Sequence, residues 1–322
     1  MIGADGTIYA ASAGGVLHAL DPADGHDRWA FDAHAFYGSD LTTSPALLGD
    51  GLVLWPGPAS KLYVLDTSGH LVTTVARSGT VLSPTVVGPA DFYLADMSGE
   101  LSAYRLEGTA LVQRWTIDLG DQSYGSPVVA LDGSLRQTVD SSVVAVQDGG
   151  DRAVELWRFS AHDISEVTAG VAPDGTTVFG TNDGAAYGIG PGGDERWKVD
   201  LGTLTYSSPA VTPDGTAYFG DNNGVVRVVR TSDGAVQRRI QARAAGKRDE
   251  SSLWSSPVVD GRGDVYYGTR DGYVYGYAAD GRQLWALPAG AAVYSTGALT
   301  ADGALVIGTE GKVLLCIGGP YA

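Results

Sequence analysis

One self-similar unit returns along this chain at a spacing of about 40 residues, and no other feature narrows its possible folds so far. The segment SSPAVTPDGTAYFGDNNGVVRVVRTSDG from Ser207 aligns with SSPVVDGRGDVYYGTRDGYVYGYAADG from Ser255. The same order starts again at Thr43, Leu82, Gly125 and Thr168; a copy from Ser295 stops early and one from Met1 starts late. Gly175 and Gly215 are 40 positions apart, as are Gly263 and Gly303, and the copies number eight.

Each copy reads as four short strands, A to D. Strand A follows Ser-Pro, as in SPAV. A PDG or ADG turn leads to strand B, such as TAYFG. A second glycine turn leads to strand C, such as VVRVV, and a third, such as TSDG, leads to strand D. The runs are rich in Val, Tyr, Phe and Leu, and Asp-Gly pairs punctuate them, which is the hairpin signal. No segment sustains a helical apolar period. One four-stranded sheet cannot bury both faces, whereas sheets packed face to face around an axis can. The spacing therefore predicts an all-β fold: an eight-bladed β-propeller of four-stranded antiparallel blades. It reads as a single domain over 1–322, with the first and last repeats incomplete.

Several copies end in tryptophan: Trp29, Trp115, Trp157, Trp197 and Trp285. A ring that recurs at one place in a repeat is expected to pack between sheets, a structural role rather than a ligand contact. LDPADGHDRW (Leu20–Trp29) together with SSPAVTPDGTAYFGDNNG resembles the tryptophan-docking repeat of PQQ-like β-propellers. That group includes quinoprotein alcohol dehydrogenases, the outer-membrane assembly lipoprotein of the BamB type, and sensor domains of some receptor kinases. The resemblance implies the fold over nearly the whole chain and an extracytoplasmic location, periplasmic or secreted. It does not imply one function. The quinoprotein dehydrogenases cradle their quinone beside a disulfide of adjacent cysteines, and Cys316 is the single cysteine here. Each copy is also near minimal length. The reading is a propeller with no quinone site and no cofactor.

Charge and motifs narrow the function further. A formal net charge of −16 with no basic run argues against a nucleic-acid partner. No apolar run reaches the length of a membrane-spanning helix, and MIGADGTIYA shows no signal peptide pattern. Cys316 lies in the apolar run KVLLCIG and is expected to be a buried core thiol. GIGPGG (Gly188–Gly193) matches the dinucleotide-binding spacing, but it falls where other copies have the C–D turn and is followed by a strand. The histidines are His18, His26, His34, His70 and His162. His34 and His162 lie in connections three blades apart, so no metal site is expected. The DNNG and TNDG segments read as turns rather than calcium loops.

A functional site is expected on the face shared by the D–A and B–C loops. Three residues before the Pro of the Ser-Pro signature stand Thr42, Val81, Tyr124, Glu166, Tyr206, Trp254 and Tyr294 in successive copies. Four are aromatic, with Glu166 among them, a surface able to hold a peptide, a sugar or a planar ligand. The structural alternative is packing against adjacent strand ends. Two D–A connections are longer than the rest: Phe31–Thr43, with Tyr37 and Asp40, and Gln241–Trp254, with Arg243, Lys247 and Arg248. The expected ligand-binding set is Tyr37, Tyr124, Glu166, Tyr206, Arg243, Arg248, Trp254 and Tyr294. The favoured function is a non-catalytic scaffold or recognition module, monomeric, binding a protein or small ligand around the funnel. The rival is an enzyme that uses Glu166 or Asp40 as a catalytic acid or base for a cyclisation or hydrolysis.

Overall fold

The computed structural model describes all residues except 35–42, 50, 109, 162, 165–166, 243–251 and 319–322. Every regular element among the described residues is a β-strand, and the strands form eight antiparallel sheets in sequence order. The fold class is an eight-bladed β-propeller. Blade 5 shows the pattern: A is Gly170–Val171, B is Thr177–Gly180, C is Ala185–Ile189 and D is Glu195–Asp200. Six sheets have four strands. The first has three, Ile8–Ala11, Val16–Leu20 and Asp27–Asp32, with strand A reduced to a bridge between Ile2 and Ile8. The last also has three, Ala298–Leu299, Leu305–Gly308 and Leu314–Ile317, with no strand D among the described residues.

The chain forms two compact units. One holds Met1–Val129, Gly133–Val139 and Val146–Leu156; the other holds Ala130–Asp132, Asp140–Ala145 and Trp157–Ala322. Within each unit the apolar clusters lie between successive blades. Tyr9, Leu17, Val53, Trp55 and Leu65 join blades 1 and 2. Val178, Ala186, Trp197, Ala217 and Phe219 join blades 5 and 6. The Ser-Pro signature links inner strands: Ser44 N–H donates to Ser83 Oγ at 2.9 Å, Thr168 N–H to Ser208 Oγ at 2.9 Å, and Ser208 N–H to Ser256 Oγ at 3.0 Å.

Trp29, Trp115, Trp157 and Trp197 dock at the next blade's C–D turn, while Trp285 packs on Tyr266 and Gly276 of its own blade. Indole N–H of Trp29 donates to the Thr67 carbonyl (2.8 Å), Trp157 to Pro191 (2.7 Å) and Trp197 to Thr231 (2.6 Å), while Trp115 donates to Asp148 Oδ1 (2.8 Å). Three rings lie on turn glycines with positive φ, Gly69, Gly193 and Gly234, where an added Cβ would stand 2.7–2.8 Å from the indole. Only a residue without Cβ permits both that turn and that approach. A β-bulge just before the indole position makes Arg28 or Arg196 the extra residue of its strand and re-aims it. Arg28 reaches Asp5 at 3.1 Å and Arg196 reaches Asp174 at 2.8 Å, each on its own blade's A–B turn. In blade 6 Arg238 takes the indole's place, donates to the Ala279 carbonyl and lies over Gly281.

Cys316 corrects the sequence expectation: it is exposed, not a core thiol. It lies on strand C of blade 8, and no fourth strand among the described residues covers that side. The corresponding strand C in blade 5, Ala185–Ile189, is buried throughout beneath its strand D. The apolar run was read correctly, but its burial depends on a neighbour.

Candidate functional site

The site builds on an alternation in the D–A loops of the second unit. Thr205, Leu253 and Val293 point inward and are fully buried. Each packs on the glycine that ends a strand B: Thr205 on Gly180, Leu253 on Gly220 and Val293 on Gly268. A Cβ on Gly268 would stand 2.1 Å from Val293 Cγ1, so the loop can seat only because that position has no side chain. The following residues, Tyr206, Trp254 and Tyr294, are thereby turned outward. Trp254 is 36% exposed and the two tyrosines are half-buried.

Backbone hydrogen bonds stitch these loops to the B–C turns. Asn222 N–H donates to the Leu204 carbonyl (3.1 Å), Leu253 N–H to Asp221 (3.2 Å), Arg270 N–H to Ser252 (3.0 Å), Val293 N–H to Thr269 (3.1 Å) and Glu310 N–H to Ala292 (2.9 Å). The residues just before each ring are tied to the turns in this way, and the rings form a contiguous row. Tyr206 and Trp254 have centroids 4.9 Å apart at 52°; Trp254 and Tyr294 are 5.1 Å apart at 41°. The Arg270 guanidinium lies 5.5 Å from the Trp254 ring centroid, a cation–π contact.

Of the residues expected from sequence, Tyr206, Trp254 and Tyr294 come together. Tyr124 stands in the first unit, where its hydroxyl donates to Gln122 Oε1 at 2.6 Å. Tyr37, Asp40, Thr42, His162, Glu166, Arg243, Lys247 and Arg248 lie outside the described residues. Sequence reasoning missed Arg270. A signal for it exists: Asn182, Asn222, Arg270 and Glu310 occupy one place in the repeat, the second residue of the B–C turn. Aligning the copies on that turn puts a single cation beside the aromatic series. Among the described residues no group of three or more His, Cys, Asp or Glu side chains is arranged to hold a metal ion, and no helix is long and apolar enough to cross a membrane. The GIGPGG glycines close a turn, with Gly193 N–H donating to the Gly190 carbonyl at 2.9 Å before strand D.

Comparison with known proteins adds ancestry to this geometry. A family model described as "Outer membrane protein assembly factor BamB" matches residues 139–318. The protein of that name from Moranella endobia is 28% identical over 119 residues, 35% of this chain. That alignment spans 30% of the length of this curated relative. Among solved structures, BamB from Moraxella catarrhalis superposes with a TM-score of 0.77 at 15% identity, over 98% of this chain and 94% of that one. Sqt1 of Saccharomyces cerevisiae gives 0.80 at 13% identity, over 96% and 92%. The computationally designed protein Ika8 gives 0.78 at 13%, over 97% and 92%. At these identities the superpositions show the shared fold alone.

Proposed function

This chain belongs to the outer membrane protein assembly factor BamB family, and from that premise we propose that it is a non-catalytic scaffold that binds another protein through its D–A and B–C loops. The observation that carries the reading is the row Tyr206–Trp254–Tyr294, three adjoining rings on one face with the middle one 36% exposed. Aromatic side chains give large contact area with few rotors to freeze, and such residues dominate the energetics of protein interfaces. The residues just before each ring are anchored by buried side chains and paired backbone groups, so the rings themselves need little ordering on binding. The relatives named for outer-membrane protein assembly support a protein as the occupant and an extracytoplasmic setting.

The test is affinity capture from the envelope fraction of the native organism with the intact chain and a Tyr206→Ala/Trp254→Ala variant, thermal melts checking the fold. Loss of a specific partner by the folded variant is the expected result. Retention of the same partner at the same yield would make the row plain packing and move the search to the opposite face.

A further inference from the structure

Building on that reading, we infer that the row of rings takes an extended peptide segment in which a carboxylate side chain stands beside apolar side chains. Two independent features point to this chemistry. The first is the tilt of the rings. Planes inclined at 52° and 41° with centroids about 5 Å apart do not form one flat platform, as stacking on the face of a sugar ring requires. They form two adjoining notches. A notch between inclined aromatic rings is the shape that accepts a proline or an aliphatic side chain of an extended chain.

The second feature is the state of Arg270. The chain is strongly acidic, and more than half of its described arginines pair with an aspartate. Arg28, Arg77, Arg114, Arg196 and Arg227 each hold an Asp within 3.1 Å. Arg270 is exposed and has no carboxylate partner among the described residues; its guanidinium lies against the Trp254 ring. A guanidinium held against a ring keeps its N–H fork free for a carboxylate, and stacking sets its orientation in advance. The site therefore offers apolar notches and a pre-aimed cation side by side. An acidic residue flanked by Pro, Leu or Val in an extended segment satisfies both.

The probe is a library of short displayed peptides, selected against the intact chain and against Arg270→Glu, whose exposed side chain leaves the core untouched. The intact chain should enrich peptides with Asp or Glu next to Pro, Leu or Val, and Arg270→Glu should exchange the acidic residue for Lys or Arg. A synthesised winner should lose about tenfold in affinity when its acidic residue becomes the amide, measured by fluorescence anisotropy. That amide peptide should bind Arg270→Glu no worse than its acid form does. Enrichment of apolar peptides without an acid, still lost in Trp254→Ala, would overturn the carboxylate inference and leave the scaffold reading standing. Selections indifferent to both Arg270→Glu and Trp254→Ala would overturn both. Binding to an oligosaccharide array, lost in Trp254→Ala, would overturn the peptide in favour of a sugar.

Discussion

Replacing Trp197 by Ala should cost far more than replacing Trp254, although both are tryptophans in one unit. Trp197 is 7% exposed, and its indole donates to the Thr231 carbonyl at 2.6 Å. Its ring covers Gly234 and Gly188, where an added Cβ would lie 2.8 Å and 2.1 Å away. Two of its walls are therefore glycine, with no side chain that can swing in to fill the space. Large-to-small changes at sites that cannot collapse fall at the costly end of about 3–5 kcal/mol. The lost hydrogen bond contributes about 1 kcal/mol of that, so Trp197→Phe should sit well below the alanine variant in cost. Trp254 is 36% exposed and mainly touches two neighbouring rings, so its truncation should cost about 1 kcal/mol or less. The assay is urea denaturation of the full chain, with hydrogen–deuterium exchange to show that the loss centres on blades 5 and 6. A Trp197→Ala midpoint no lower than that of Trp254→Ala would refute the docking argument.

Three further outcomes are expected. Burial pushes the Asp148 carboxyl up, but hydrogen bonds from Tyr93, Gly150 N–H and Trp115, with the Arg114 charge, outweigh it and hold the pKa below the usual value. Its stabilisation is then present above the unfolded pKa of about 4 and lost as pH falls through the lower folded value, so Asp148→Asn should flatten the acid limb of a stability–pH profile. An unchanged acid limb would contradict this. Arg77 and Asp96 form an ion pair at 2.9 Å with side chains 5% and 0% exposed. Arg77→Ala should cost about 3–5 kcal/mol by stranding the carboxylate, and Arg77→Met/Asp96→Asn should recover much of it, as read by urea midpoints. Cys316 should react with a thiol reagent in the native protein at a rate close to that after denaturation; strong native-state protection would show that a fourth strand covers it.

The local features of this molecule were legible in the sequence because they are set by neighbours along the chain. Apolar alternation, Asp-Gly pairs and a glycine at most turns are properties of a few consecutive residues, and their repetition eight times leaves the propeller as the way to bury every sheet. The recurrence of tryptophan at one place in the repeat was visible for the same reason. Residues whose meaning depends on a different segment were not readable. Cys316 sits in a run as apolar as any strand C, yet it is exposed because no strand D among the described residues lies beside it. Arg238 does the work of an indole because Gly281 and the Ala279 carbonyl of the next blade receive it. Arg270 acquires its significance from Trp254, a residue on another loop brought beneath its guanidinium by hydrogen bonds between loop and turn. Strand and turn formation is decided by short-range backbone preference. Burial, ring contact and the availability of a charge are decided by which surfaces meet, and only the tertiary structure brings those surfaces together.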